Sequence, residues 1–192
     1  MLKRDDLLSL ESYSDQREAF REKVMAHKKN RQLKLGENAT LYFEDRLTMQ
    51  YQIQEMLRVE RIFDAEGIQE ELDTYNALIP DGCNWKATFM LEYVDENERK
   101  AALAKMIGIE DKVWMQVAGH ERIYAIADED LERDNAEKTS AVHFMRFELS
   151  SAMAEAVKLG ANIGAGIEHT AYDVSIEALP ANIRDSLAAD LN

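Results

Sequence analysis

The chain has 192 residues, of which 46% are hydrophobic and two are proline, a composition typical of a globular protein. Its formal net charge of -14 argues against general nucleic-acid binding, which depends on lysine and arginine to neutralise phosphates. The single cysteine excludes an intramolecular disulfide, and no apolar window is long enough for a signal peptide or a membrane span. We therefore expect a cytoplasmic protein with no nucleic-acid or membrane partner.

Hydrophobic periodicity predicts three helices and a hairpin in the first part of the chain. The first helix is expected to begin after an N-cap at Ser14 and to end near Lys28. Two extended runs around a Gly-Glu-Asn turn predict a β-hairpin. Asp45 is then expected to cap a long helix that lasts until Gly67, and a short third helix ends before Pro80.

Strands and single helices alternate in the rest of the chain. WKATFMLEYV has the apolar and polar alternation of a strand, and a helix is expected between Asp95 and Gly108. KVWMQV and RIYAIA predict a second hairpin. The acidic segment at 128–137 is expected to be a solvated loop, with cation binding as the alternative. Two more strands, AVHFMRFEL and NIGAGIEH, are separated by a helix capped by Ser150, and Pro180 opens a last helix.

Strands that come in hairpins or return across single helices indicate an antiparallel sheet. We predict the α+β class, as a single domain over residues 1–192 with a largely antiparallel sheet of about six to seven strands and helices packed on it. No glycine-rich phosphate loop follows a strand, because IGAGI lacks the G-x-G-x-x-G spacing. A dinucleotide-binding fold is therefore not expected.

The helix YQIQEMLRVERIF places a carboxylate among apolar side chains. At about 100° per residue, Ile53, Leu57, Glu60 and Phe63 fall within one arc, so Glu60 is predicted to point at the core. An ionised carboxylate is costly to bury alone. We therefore expect Glu60 to be paired, hydrogen-bonded, metal-bound or protonated.

The opposite arc of this helix is half apolar, which predicts partly enclosed surroundings for its charged side chains. If these cations share a pocket with those of the later strands, their forked hydrogen bonds would recognise a carboxylate or phosphate. The alternative is that they neutralise neighbouring carboxylates. The predicted ligand-binding residues are Glu55, Arg58, Glu60, Arg61, Asn84, Trp85, Lys86 and Arg146.

Two histidines are candidate metal ligands. Alternation along AVHFMRFEL puts His143 in apolar company, where a hydrogen-bonded core histidine is the alternative, and His169 lies at the end of a strand. If both converge with one or both of Glu55 and Glu60, the nitrogen and oxygen donors would suit iron, manganese or zinc. The predicted metal ligands are therefore Glu60, His143 and His169, although no H-E-x-x-H or C-x-x-C spacing supports them.

A resemblance to a known family is carried by the segments YQIQEMLRVERIF, YNALIPDGCNWKATFMLEY, GIEDKVW, YAIADEDLER and KTSAVHFMRFEL. They resemble domain of unknown function family 3501, a bacterial family, and the likeness covers nearly the whole chain. Genes of that family often lie beside those for rubrerythrin-like proteins and an iron-sulfur oxidoreductase, so the resemblance implies a part in redox or peroxide metabolism. Cys83 and Thr170 depart from the family pattern, and the second makes His169 a less certain ligand.

Three hypotheses for function follow. The first is a cytoplasmic accessory protein of a redox or oxidative-stress system, which binds a small anionic ligand or a redox partner protein through a polar pocket and which forms a homo-oligomer or acts alone. The second is a metal-dependent or general acid-base enzyme built on Glu60 and His143, with Arg58 and Arg146 orienting a small anionic substrate. The third is a structural partner without catalysis.

Overall fold

A computed structural model describes residues 1–129 and 137–192. The described residues form six α-helices and nine strands, and the strands make two antiparallel sheets of five and four strands. The α+β class is confirmed, and the strands are more numerous than the predicted six to seven. The chain divides into two compact units, residues 1–30 with 44–80 and residues 31–43 with 81–192. The expected single domain stays a prediction.

The elements run in the following chain order. They are α1 (Leu10–Lys28), β1 (Gln32–Leu35), β2 (Ala39–Glu44), α2 (Arg46–Glu60), α3 (Ala65–Asn76), β3 (Asn84–Leu91), α4 (Glu96–Lys105), β4 (Val113–Val117), β5 (Arg122–Tyr124), β6 (Ile126–Ala127), β7 (Val142–Glu148), α5 (Ser151–Lys158), β8 (Ile163–His169), β9 (Tyr172–Ile176) and α6 (Ala181–Ala188). Short 3₁₀ helices cover Arg4–Asp6 and Ile109–Lys112.

The first unit contains α1, α2 and α3. Helix α1 begins earlier than predicted because Ser9, and not Ser14, is its N-cap, with a side chain that accepts a hydrogen bond from the backbone of Ser12. Asp45 caps α2 as predicted and accepts from the backbone N–H of Thr48 at 2.9 Å.

Helix α2 ends at Glu60, and the predicted end at Gly67 is wrong. Arg61 adopts the left-handed conformation with φ 57° and ψ 46°, which stops the helix although the residue is not glycine. Asp64 then caps α3 by accepting from the backbone N–H of Gly67 at 2.8 Å. Residues 61–64 therefore connect the two helices.

Apolar side chains from the N-terminal segment, α2 and α3 form the core of this unit. They are Leu2, Met49, Ile53, Leu57 and Leu72, all buried. Two side-chain amides tie the N-terminal segment to these helices. Gln54 is fully buried and bonds both backbone groups of Leu8, while Asn76 bonds both backbone groups of Leu2.

The five-stranded sheet of the second unit has the order β1-β2-β3-β7-β6. Strands β3 and β7 pair antiparallel, with Trp85 opposite Phe147 and Phe89 opposite His143. Trp85 and Phe89 are fully buried, as the alternation of WKATFMLEYV predicts. The indole N–H of Trp85 donates to the carbonyl of Leu187 in α6, which satisfies its polar atom inside the core.

The four-stranded sheet has the order β5-β4-β8-β9. Val113, Met115 and Val117 of β4 are fully buried, and Trp114 points to the opposite face. Gly166 of β8 lies directly opposite Trp114. A Cβ atom at Gly166 would lie 2.5 Å from Cζ2 of Trp114, so glycine makes room for the indole.

Asp95 and Ser150 cap α4 and α5 as predicted. RIYAIA, predicted as one strand of a hairpin, divides into β5 in the four-stranded sheet and β6 in the five-stranded sheet. The predicted acidic loop lies outside the described residues except for its ends at 128–129 and 137. Among the described helices, none is both long and apolar enough to cross a membrane.

Candidate functional site

The prediction that Glu60 points at the core is wrong. Glu60 is exposed at the last position of α2, and Phe63 is 70% exposed. The helical arc that placed both residues inward stops at Arg61, where the backbone turns into the left-handed region. The fully buried polar side chains of α2 are Thr48 and Gln54.

Glu55, by contrast, lies at the centre of a charge network in the first unit. Its Oε1 accepts from the hydroxyl of Tyr13 at 2.6 Å and from Nε of Arg17 at 2.7 Å. Its Oε2 accepts from Nη2 of Arg17 at 3.0 Å and from Nη2 of Arg58 at 3.1 Å. Arg17 thus binds the carboxylate through two hydrogen bonds, and this bidentate arrangement is the strongest one for an arginine and a carboxylate.

This network changes the pKa values of its titratable side chains. The hydrogen bonds from Arg17 lower the pKa of Glu55 from 4.5 to about 2. Burial, together with the hydrogen bond to Glu55, raises the pKa of the Tyr13 hydroxyl. Glu55 is therefore an ionised carboxylate that joins α1 to α2, and Arg58 is one of the cations that neutralise it.

A second charged group lies across strands β3 and β7. Arg146 donates to both carboxylate oxygens of Glu129 at 2.8 and 2.9 Å and to Glu148 at 2.5 Å. Lys86 stands directly opposite Arg146 in the strand register. Like charges in that position repel, and the two carboxylates offset the repulsion. Asn84 is buried and donates to Glu148 at 3.4 Å.

The predicted ligand-binding residues thus have different surroundings. Glu55 and Arg58 belong to one ion-pair network, and Asn84, Lys86 and Arg146 lie side by side on β3 and β7. Trp85 is a core residue, and Glu60 and Arg61 are exposed.

His143 is the centre of a buried polar cluster. Its Nδ1 lies 2.5 Å from Oδ2 of Asp128, and its Nε2 lies 2.9 Å from Oγ1 of Thr139 and 3.1 Å from the carbonyl of Ser140. Oε2 of Glu110 lies 3.3 Å from the Thr139 hydroxyl and 3.8 Å from Nε2. His143 is 0% exposed, so these groups replace water around it.

The contacts of His143 restrict its protonation states. A carboxylate only accepts, so Nδ1 donates to Asp128. If Nε2 is also protonated, it donates to Ser140 and the imidazolium lies between Asp128 and Glu110. If Nε2 is not protonated, it accepts from Thr139. The single Thr139 hydroxyl proton is therefore donated to Glu110 in the first state and to Nε2 in the second.

The backbone of Asp128 lies in the left-handed region, with a φ of 51°. Few non-glycine residues adopt this conformation, and aspartate, asparagine and histidine are the most frequent among them. Its Oδ1 accepts from the backbone N–H of Phe144 at 3.0 Å, and its own N–H donates to the carbonyl of Phe144 at 2.8 Å. Non-glycine residues in this conformation cluster at functional sites.

The predicted metal ligands do not form one group. His143 lies on β7 in the five-stranded sheet, whereas His169 ends β8 in the four-stranded sheet. His169 accepts from the N–H of Ala171 at 3.1 Å through Nδ1, and its Nε2 faces the carbonyl of Ile107 at 3.2 Å. Glu60 is exposed on α2. In the described ranges no three His, Cys, Asp or Glu side chains are arranged to hold a metal.

A cluster of polar and aromatic side chains on the four-stranded sheet was not predicted from the sequence. The guanidinium carbon of Arg122 lies 3.9 Å from the ring centroid of Trp114. Arg122 pairs with Glu168, whose Oε2 accepts from the hydroxyl of Tyr124 at 2.7 Å. The Tyr124 hydrogen bond lowers the pKa of Glu168. We call these four residues, Trp114, Arg122, Tyr124 and Glu168, the Arg122 patch.

Comparison with known proteins gives the family. The model of a family described as "Protein of unknown function (DUF3501)" matches residues 1–191. The chain belongs to the DUF3501 family. It is also similar to a crystal structure from Burkholderia pseudomallei K96243, titled as a novel protein of unknown function at 1.90 Å resolution, with 51% identity, a TM-score of 0.94 and coverage of 100% of this chain and 99% of that one. No curated protein matches.

The Arg122 patch of this DUF3501 protein is partly exposed and partly buried. Tyr124 is 45% exposed, while Trp114 is 3% exposed under the guanidinium of Arg122. Within the described part of the chain, the indole N–H of Trp114 finds no acceptor. The predicted hairpin KVWMQV and RIYAIA was a signal for the patch, because its alternation places Trp114 and Tyr124 on one face.

Proposed function

We propose that this DUF3501 protein is a cytoplasmic accessory component of a redox or oxidative-stress system, and that it binds a partner protein through the Arg122 patch. The observation that carries the proposal is the stack of the Arg122 guanidinium on Trp114 beside the exposed Tyr124. Tryptophan, tyrosine and arginine are the residues most enriched among those that dominate binding energy in protein interfaces.

The position of the patch supports contact with a protein. Strand β5 lies at one edge of its sheet, so Arg122 and Tyr124 stand on a regular backbone that needs little reorganisation on binding. Ile126, two residues after Tyr124 in the chain, is also exposed.

The charges of the other predicted sites favour a protein partner over a small anion. Arg58 already binds Glu55, and Arg146 already binds Glu129 and Glu148. An anionic ligand at either arginine would compete with a carboxylate held in place by the fold. The binding energy of a small anion would therefore be reduced by the ion pair it breaks.

The choice of partner rests on the family resemblance. It implies an association with rubrerythrin-like proteins and an iron-sulfur oxidoreductase, and these two are the partners to test. We expect one of them to bind the purified protein in isothermal titration calorimetry. Tyr124→Ala and Arg122→Ala should each weaken the complex by about 30-fold, the loss that marks a dominant interface residue.

The control variant is Val94→Ala, because Val94 is also exposed and apolar and lies outside the patch. It should bind as tightly as the wild type. The proposal fails if neither redox protein binds, or if the complex tolerates both patch substitutions as well as it tolerates the control.

A second candidate function is general acid-base catalysis at His143. The order of Asp128, His143 and Thr139, with contacts of 2.5 and 2.9 Å, is that of a carboxylate, imidazole and hydroxyl relay. A reactive Thr139 should be labelled by a fluorophosphonate in the wild type and not in His143→Gln, as read by peptide mass spectrometry. Wild-type protein that stays unlabelled removes this candidate.

The metal-dependent form of that enzyme is tested separately. Protein purified without chelator is analysed for iron, manganese and zinc, and its melting temperature is measured with and without each added ion. A bound metal stabilises the folded state by mass action. Protein with no bound metal and no shift in melting temperature removes the metal-dependent candidate.

A further inference from the structure

Large apolar side chains are exposed where α2 meets α3. We call residues 58–64 the α2–α3 corner. Val59 is 62% exposed and Phe63 is 70% exposed, and both belong to the first unit. Contiguous exposed apolar surface marks an interaction site, whereas single exposed apolar side chains are ordinary.

A cleft of about 390 Å³ adjoins the corner. Its apolar lining comes from the N-terminal segment, from α2 and from the start of α3, and includes Leu7, Leu10, Leu57, Ile62 and Ile68. Phe63 also lines the cleft, although most of its ring is in solvent. One face of the molecule thus carries a protruding aromatic ring next to an apolar recess.

The backbone of the corner holds Phe63 outward. Arg61 is in the left-handed conformation, and the N–H of Ile62 donates to the carbonyl of Leu57 at 3.0 Å. Ile62 turns inward against Gly67, where a Cβ atom would lie 2.7 Å from Cγ2 of Ile62. Phe63 is therefore presented by a defined turn, so its ordering would add little entropic cost on association.

The charges of the corner itself and of the cleft lining are balanced, unlike those of the whole protein. The corner carries two cations and two anions, and the rim of the cleft adds Arg4 and Asp5, so the local sum is zero against -14 for the chain. The six residues, all exposed, are Arg4, Asp5, Arg58, Glu60, Arg61 and Asp64. Two copies of a balanced surface meet without the repulsion that the rest of this acidic protein would produce.

We propose that the α2–α3 corner is a homodimer interface, in which Phe63 of each copy enters the cleft of the other. A surface that contains both the protruding group and its receptor, with equal numbers of opposite charges, is complementary to itself. Such a surface closes in a two-fold dimer, because the same patch is used on both copies. The interface is independent of the Arg122 patch.

Sedimentation velocity of the wild type over a wide range of concentrations tests the dimer. We expect a reversible monomer-dimer equilibrium. Phe63→Glu should raise the dissociation constant by about 30-fold or more, because it removes the central apolar anchor from both halves of the interface. Val94→Glu is the control, since it places the same charge at another exposed apolar position, in the other unit, and should leave the equilibrium unchanged.

Arg61→Glu tests the charge argument separately. It changes the local sum from zero to -2 on each copy and should weaken the dimer, more so at low salt. The double variant Glu60→Arg with Arg61→Glu restores the balance and should recover the dimer. Circular dichroism confirms that each variant folds. A wild type that stays monomeric at its highest soluble concentration, or an unchanged dimer in Phe63→Glu or Arg61→Glu, overturns the proposal.

Discussion

Replacement of His143 by leucine should lower the free energy of unfolding by about 3 kcal/mol. His143 is fully buried and the Asp128 side chain beside it is 9% exposed. Leucine fills much of the space of the imidazole but removes the donor to Asp128. The main loss is therefore a buried carboxylate without its ring partner.

The structure sets the size of this loss. Removing one partner of a buried ion pair costs about 3–5 kcal/mol. Asp128 keeps a hydrogen bond from the backbone of Phe144 at 3.0 Å, which favours the lower end of that range. The Thr139 hydroxyl keeps Glu110 as an acceptor at 3.3 Å, so it adds little to the loss.

Urea unfolding at neutral pH, followed by circular dichroism, measures the effect. The matched second variant is Asp128→Asn, because asparagine tolerates the left-handed φ of 51° and changes only the charge. If the two side chains stabilise the fold as a pair, the double variant should cost less than the sum of the single variants by about 1.5–3 kcal/mol.

Two results would refute this reasoning. A cost of His143→Leu below about 1 kcal/mol would mean that Asp128 is not left as a buried charge. Additive single and double variants would mean that the 2.5 Å contact between the two side chains contributes no stability of its own.

The remaining predictions concern both units. The hydrogen bonds from Arg17 are the main cause of the low pKa of Glu55, about 2 in the folded protein against an ordinary value of 4.5. The ionised Glu55 side chain therefore contributes its full stability to the fold above pH 4.5, and that contribution is lost as the pH falls through 2. The difference in unfolding free energy between wild type and Glu55→Gln, about 1–2 kcal/mol at neutral pH, should therefore vanish in acid, and a constant difference would contradict the ion pair. Gly166→Ala should lower the free energy of unfolding in urea by about 1–3 kcal/mol, because the new methyl group would lie 2.5 Å from both Trp114 and a backbone oxygen. An unchanged free energy of unfolding would show that the strands move apart to accommodate the methyl group. Glu60→Gln should leave the melting temperature nearly unchanged, since its carboxylate is exposed, and a clear loss would restore the predicted inward orientation.

Part of the candidate site was predictable from the sequence. The alternation of AVHFMRFEL correctly placed His143 on the apolar side of β7, and hydrogen-bonded burial was one of its two interpretations. For Arg58 and Arg146, one of the two interpretations of the sequence was that each neutralises neighbouring carboxylates. Two of the partners of His143, Glu110 and Asp128, were not predictable, because they lie 33 and 15 residues before it in the chain.

The sequence alone determined most helices and strands, because caps, turns and alternation depend on residues within about four positions of each other. The sequence did not determine the end of α2, because arginine has no local preference for the left-handed conformation that Arg61 adopts. That conformation ends the helix, so Glu60 and Phe63 are exposed and not directed at the core as expected. The pairing of β4 with β8 was likewise determined only by the tertiary structure. Only that pairing places Gly166 under Trp114, and the energy of such a contact comes from residues that meet after the chain has folded.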